Sequence, residues 1–255
     1  MSENSNKVSD IFRAAMGKFD SRHRVGAIIV AAGSSSRMGG DTTKQMMELC
    51  GMPVVVRTLL AFQKNEYIKE IVVAAREDEV ERYSDFKEEY ALTKLTSVVP
   101  GGETRQGSVI AALEKISDKT DYIAIHDGAR PFVTDKIIDD AVRAAYKYGA
   151  VCAAVPAKDT AKYADAKGYI DHTVDRAFLW YAQTPQVFKT NLYRAAAYSA
   201  LEKGFAATDD CMLAEEAGFR VKLIPGSEEN IKITTPHDLE IGEAIIKKRG
   251  EEECE

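Results

Sequence analysis

The chain reads as an α/β protein built on a mostly parallel sheet with helices on both faces. Two observations predict this. Short runs rich in Val, Ile and Ala recur at 25–32, 70–75, 95–99, 121–126 and 150–155, and helical stretches lie between them near 53–64, 77–90, 104–117 and 134–148. The apolar runs are near-continuous rather than alternating, as expected of strands covered on both sides. Ligands of such sheets bind beyond the carboxyl ends of the strands, so the loop after each run is where function should lie.

The elements follow in order. Residues 1–23 precede the first strand; Val8, Ile11, Phe12, Ala15, Met16 and Phe19 recur at helical spacing, which predicts a short amphipathic helix in an N-terminal extension. Residues 24–250 read as one domain. In the stretch 104–117, Val109, Leu113 and Ile116 share one face. The rhythm breaks at 156–188, which has no helical period and reads as two extended segments around the turn signal Asp165-Ala166-Lys167-Gly168. This predicts a β-arm over about 156–180 that projects from the sheet. Helices are expected near 189–203 and 209–217, and strands at 220–225 and 230–234. The last helix has clear punctuation: Thr235 as N-cap, Pro236 in the first turn, and Lys247, Lys248 and Arg249 before Gly250.

Composition narrows the functional classes. Of the 255 residues, 45% are hydrophobic and 29% charged, with a net charge of −6, which disfavours a nucleic-acid partner. No apolar run approaches the ~18–20 residues that span a bilayer, so no membrane association is expected. The four cysteines, Cys50, Cys152, Cys211 and Cys254, form no C-x-x-C pair and predict reduced thiols rather than a disulfide framework or a zinc site. The N-terminus lacks an apolar signal core, and Glu3, Asp10 and Asp20 disfavour a transit peptide, which points to the cytoplasm.

Four segments carry the chemistry. The first strand ends in Ala31-Ala32-Gly33-Ser34-Ser35-Ser36, followed by Arg37 and, seven positions on, Lys44. Small residues let backbone N–H groups approach phosphate oxygens, and the two cations neutralise them. The spacing fits neither the P-loop nor the dinucleotide fingerprint. Gly101-Gly102-Glu103-Thr104 opens a helix that contains Ser108; here glycines admit a planar ligand and Ser108 offers hydrogen bonds to it. His126-Asp127-Gly128-Ala129-Arg130 ends the fourth strand, with Asp127 suited to a metal or a sugar hydroxyl and Arg130 to a phosphate. His126 reads as a packed strand residue, since nothing nearby marks it as the partner of a nucleophile. Lys232 lies between Ile231 and Ile233, so alternation aims it away from both.

In this order and spacing, AAGSSSRMG…KQ, GGETRQGSV, HDGARPF, VPAKDT, TVDR..LW.AQTPQVF, TDD and NIKITTP resemble the 2-C-methyl-D-erythritol 4-phosphate cytidylyltransferases of the non-mevalonate isoprenoid pathway. The resemblance covers roughly residues 24–248. It implies a Rossmann-like nucleotidyltransferase sheet and a homodimer joined through the projecting β-arm. It implies an enzyme in which the phosphate of methylerythritol phosphate attacks the α-phosphorus of CTP, with magnesium bridging the triphosphate oxygens. By that pattern Arg37, Lys44 and Lys232 are the catalytic cations. Ala31, Ala32, Gly33, Gly102, Glu103, Ser108, Asp127 and Gly128 contact the nucleotide, with Asp127 also near the metal. Arg130 and Thr184 hold the sugar phosphate, joined by Thr160 and Arg176, which reach from the arm into the partner's site. Ser35 stands where many members have a second glycine, and Glu103 where many have Asp. A pentitol-phosphate cytidylyltransferase acting on ribitol 5-phosphate is the alternative within this fold. A glycosyltransferase would want a D-x-D metal pair, of which His126-Asp127-Gly128 supplies one carboxylate.

Overall fold

The structure is a computed structural model that describes residues 23–33 and 43–250. Residues 1–22 of the extension, Ser35, Arg37 and Cys254 lie outside the described residues. Strand β1 (Val25–Val30) is followed by the two-residue strands β2 (Glu48–Leu49) and β3 (Met52–Pro53), then helix α1 (Val54–Lys64) and β4 (Ile68–Ala75). A 3-10 turn (Glu77–Glu79) leads into α2 (Arg82–Glu89), β5 (Leu95–Pro100) and α3 (Arg105–Leu113). Next come β6 (Tyr122–Asp127), α4 (Asp135–Tyr148), β7 (Ala150–Pro156), and the arm strands β8 (Lys162–Ala164) and β9 (Ile170–Thr173). A 3-10 turn (Arg176–Phe178) then precedes β10 (Trp180–Lys189), α5 (Thr190–Glu202), α6 (Asp210–Glu216), β11 (Lys222–Pro225) and α7 (Pro236–Arg249).

The main sheet has seven strands in the order β11-β7-β10-β6-β1-β4-β5. Pairs β1–β4, β1–β6, β4–β5 and β7–β11 are parallel, while β10 runs antiparallel to both β6 and β7. The expected α/β architecture is therefore present, with one reversed strand inserted near its centre. The strands are buried on both faces because side chains alternate between two cores. Ala27 and Ile29 pack with Val55, Leu59 and Phe62 of α1 and Ile138 and Val142 of α4. Ile28, between them, faces Val109 and Leu113 of α3 and Tyr193 and Ala197 of α5. α4 illustrates why these helices form here. Thr134 caps its first turn by accepting the Ile137 N–H, Ile138, Ala141, Val142 and Ala145 bury one face, and Gly149 ends it at φ +81°.

Three expectations are corrected. Of the stretch 156–188 read as two extended segments around one turn, residues 180–188 belong to the main sheet, and the hairpin of the arm is confined to β8 and β9 around the Asp165–Gly168 turn. Gln183, Thr184, Pro185 and Gln186 look unlike a central strand, yet Gln183, Thr184 and Gln186 are buried because their polar groups are used at the site. Residues 230–234 are extended but join no sheet; Asn230 Nδ2 donates to Thr184 O of β10 at 2.9 Å, and the Ile233 N–H donates to Ala129 O, just past β6, at 2.8 Å. Ile233 is instead buried in a third cluster with Leu49, Val54, Phe132, Ile245 and Ile246, under α7. Finally, Cys50 is disulfide-bonded, against the expectation of reduced thiols, while Cys152 and Cys211 are free and buried. Among the described residues no helix is long and apolar enough to cross a membrane.

Candidate active site

The carboxyl ends of β1, β5, β6 and β11 converge on one edge, and loops laced through glycine build the site there. The Gly128 N–H donates to Val30 O at 2.8 Å, and a Cβ on Gly128 would lie 3.2 Å from Ala31 Cβ. The Gly101 N–H donates to Ala75 O at 2.7 Å; a Cβ there would overlap Ala32 Cβ and approach Ser108 Oγ to 2.8 Å. Ala31, Ala32, Gly101, Gly102 and Gly128 are thus held as one surface that only small residues permit. Thr104 caps α3 by accepting the Gly107 N–H at 3.0 Å. Ser108 is buried and donates its hydroxyl to Thr104 O at 2.9 Å, so it meets a ligand through its lone pairs.

Lys44 follows the undescribed part of the first loop and is half-buried. Its neighbour Gln45 is buried with its amide beside Gly33, and Gln45 O accepts the Val55 N–H at 2.9 Å, docking this turn on the start of α1. Arg37 lies outside the described residues.

Asp127 is the electrostatic centre of this edge. Asp127 is 8% exposed and its carboxylate faces three cations: Lys232 Nζ at 2.8 Å from Oδ2, Arg105 Nε at 3.3 Å from Oδ1, and Arg130 Nε at 3.6 Å from Oδ2. Burial would raise the Asp127 pKa, but Lys232, Arg105 and Arg130 outweigh it and hold the carboxyl well below the usual range. Arg105 also meets Asp210, its Nη1 lying 2.7 Å from Asp210 Oδ2. The three cations are balanced by Asp127, Asp210 and Asp209, the last lining the same cavity, so an anionic ligand is met by the directed donors of Lys232, Arg105 and Arg130 rather than by a net charge.

Thr184 and Lys232 are fixed by a polar lattice. The Asp127 N–H donates to Thr184 Oγ1 at 3.1 Å. Asn230, fully buried, donates from Nδ2 to Thr184 O at 2.9 Å and receives Arg130 Nη1 on its own carbonyl at 2.8 Å. Gln183 clamps Ser227 in both directions, donating to its carbonyl at 2.8 Å and accepting its N–H at 3.3 Å. Lys232 is therefore aimed by the anchorage of Asn230 before it and of Ile233 after it.

Arg105, Asp127, Arg130, Thr184, Thr208 and Asp209 are among the residues lining a cavity of about 160 Å³. Thr160 and Arg176 do not reach it within the chain: both are exposed on the arm, with Arg176 Nη1 donating to Lys158 O at 2.6 Å. His126 is packed as expected, buried against Phe62 with ring centroids 5.0 Å apart and Nε2 at 3.1 Å from Arg130 O. Burial lowers its pKa to about 4. The sequence reading missed Arg105, Asp210, Gln183 and Asn230 as members of the site. Arg105 stands inside a motif already singled out, and Asp210 belongs to the TDD motif; only the fold shows that they meet.

Residues 25–248 match the family described as 2-C-methyl-D-erythritol 4-phosphate cytidylyltransferase. A protein of that name from Caldanaerobacter subterraneus is 45% identical over 225 residues, covering 88% of this chain and 99% of its own length. Another, from Pelotomaculum thermopropionicum, is 43% identical over 228 residues, covering 89% of this chain and 95% of its own. The crystal structure of 4-diphosphocytidyl-2C-methyl-D-erythritol synthase from Anaerococcus prevotii superimposes with a TM-score of 0.79 at 32% identity, covering 88% of this chain and 96% of that one. The 2-C-methyl-D-erythritol 4-phosphate cytidylyltransferase from Thermus thermophilus gives 0.73 at 31% identity, covering 88% and 99%. A glycine-laced loop pair, a carboxylate ringed by cations and a match from the first strand to the last helix agree: the chain belongs to the 2-C-methyl-D-erythritol 4-phosphate cytidylyltransferase family.

Proposed function

We propose that the protein transfers the CMP moiety of CTP to 2-C-methyl-D-erythritol 4-phosphate, giving 4-diphosphocytidyl-2-C-methyl-D-erythritol and pyrophosphate. The observation that carries this reading is the Asp127 cluster, which fixes Lys232, Arg105 and Arg130 around one carboxylate beside small-residue loops, in a chain of this family. A phosphate oxygen of the sugar phosphate attacks the α-phosphorus. A new P–O bond forms, the bond to the bridging oxygen breaks, and its electron pair leaves with pyrophosphate. The nucleophile is already ionised near neutral pH, so no side chain has to take a proton from it. The protein's work is positioning and charge stabilisation.

Arg37 and Lys44 hold the triphosphate, against the backbone of Ala31, Ala32 and Gly33. Lys232 lies on the α-phosphate. Gly102, Glu103 and Ser108 read cytosine and the adjoining ribose, and Asp127 and Gly128 lie at the ribose. The cavity lined by Arg130 and Thr184 takes the sugar phosphate. Magnesium uses one or two carboxylates plus substrate phosphates, and Asp127 is a carboxylate at this edge, its oxygens shared with Lys232, Arg105 and Arg130. Asp127 would hold the ion, and when bound it neutralises charge on the triphosphate.

We assign the arm to a homodimer contact. Tyr169, Ile170 and Phe178 are 72%, 63% and 85% exposed, an apolar surface unusual for a chain acting alone. Thr160 and Arg176, on the same arm, would complete the partner's site. Steady-state rates with CTP and either methylerythritol phosphate or ribitol 5-phosphate test the substrate; faster turnover of ribitol 5-phosphate overturns the choice.

A further inference from the structure

Asp210 is not among the residues that line the site's cavity, yet it meets Arg105, one of the cations around Asp127. It is fully buried at the first position of α6. Tyr193, also fully buried, donates its hydroxyl to Asp210 Oδ1 at 2.6 Å, which turns the other oxygen toward Arg105. The backbone beneath is fixed too: the N–H groups of Asp210 and Cys211 both donate to Gln186 Oε1 at 3.1 Å, anchoring α6 to β10. Arg105 is thereby held from both sides, by Asp210 on Nη1 at 2.7 Å and by Asp127 on Nε at 3.3 Å. Asp127 and Arg105 line the 160 Å³ cavity, whereas Asp210 and Tyr193 stand behind it.

A guanidinium beside an anion site has a competing choice, to turn onto the incoming phosphate. Asp210 removes that choice. Its charge also lowers the net charge of the cluster by one, so that Asp127 is not overwhelmed by cations. We propose that Asp210, oriented by Tyr193, is a positioning residue: it holds Arg105 so that Arg105 orients Asp127 and shapes the sugar-phosphate cavity. The inference rests on the sugar-phosphate reading above for its kinetic test, and on the clamp alone for its spectroscopic one.

The kinetic test is Asp210→Asn. The clamped guanidinium loses its charged partner while the loops at Ala31, Ala32 and Gly101 keep theirs. The KM for the sugar phosphate should rise about 10- to 100-fold, as for a displacement of about 1 Å at a reacting group. The control for a purely structural role is the double variant Arg105→Met with Asp210→Leu. Replacing a buried ion pair by apolar side chains commonly restores stability, so its Tm should recover while the sugar-phosphate KM stays high. Tyr193→Phe, a smaller change, keeps the test open if Asp210→Asn does not fold; it should raise that KM about threefold or more. The spectroscopic readout is the 15N-labelled Arg105 Nε–H resonance, assigned by its loss in Arg105→Lys. It should exchange slowly in the wild-type protein and measurably faster in Asp210→Asn and Tyr193→Phe, whatever substrate is turned over. A double variant whose KM recovers together with its Tm, or an Nε–H whose exchange ignores both substitutions, overturns the proposal.

Discussion

Replacing Lys232 by Ala tests the charge argument directly. The Nζ lies 2.8 Å from Asp127 Oδ2 with the side chain 35% exposed, so the ammonium is held in place before any substrate arrives yet stays reachable. A unit charge about 4 Å from a phosphate oxygen is worth ~4 kcal/mol at an effective dielectric of ~20. Asp127 already engages part of that charge, which brings the expected loss of transition-state stabilisation to ~2–4 kcal/mol, the range found for single donors to a developing oxyanion. At ~1.4 kcal/mol per tenfold, turnover should fall between about 30- and 1000-fold. Folding should suffer far less, by about 1 kcal/mol, because Arg105 and Arg130 still face the carboxylate at 3.3 and 3.6 Å. Pyrophosphate release with both substrates saturating measures the first quantity and urea unfolding the second. Turnover within threefold of wild type, or a rate loss that merely tracks loss of folded protein, refutes the reasoning.

Gly101→Ala places a methyl group onto Ala32 and Ser108 and should cost about 1–3 kcal/mol in urea unfolding while raising the KM for CTP. His126 gives a pH signature. Its folded-state pKa of about 4 lies below the ordinary 6.5, so between these values the unfolded chain binds the extra proton and stability falls as pH drops through that window. The contribution is on the order of 3 kcal/mol, complete above pH 6.5; His126→Gln should flatten that part of a stability–pH curve. The arm assignment predicts that Phe178→Ser together with Tyr169→Ser shifts sedimentation equilibrium toward monomer and lowers turnover in parallel. A monomeric variant with full activity excludes a site shared between chains.

The sheet was legible in the sequence wherever burial on two faces forces unbroken runs of Val, Ile and Ala, as in β1, β4 and β6. It was illegible at β10, where the interior of the molecule is polar. Gln183, Thr184 and Gln186 are buried to bind a loop, a backbone and a helix start, and local pattern carries no trace of partners that lie 24 to 57 residues away. The same limit applied to the site. Asp127, Arg130 and Lys232 announce themselves by motif, whereas the partnership of Arg105 with Asp210 spans the sheet and follows only from topology. Lys232 was expected on a strand; anchoring by Asn230 and Ile233 aims it equally well without one.

The place of β10 also sets an order of assembly. β7 lies between β10 and β11 in the sheet, and both follow it in the chain. During synthesis β6, β1, β4 and β5 can pair as soon as they emerge, whereas β7 has no neighbouring strand until Lys189 has left the ribosome. Between those moments a strand of Ala, Val and Cys waits with both edges open. One of those edges closes when the arm's own exit strand inserts, joining β7 to β6, and the other when β11 follows.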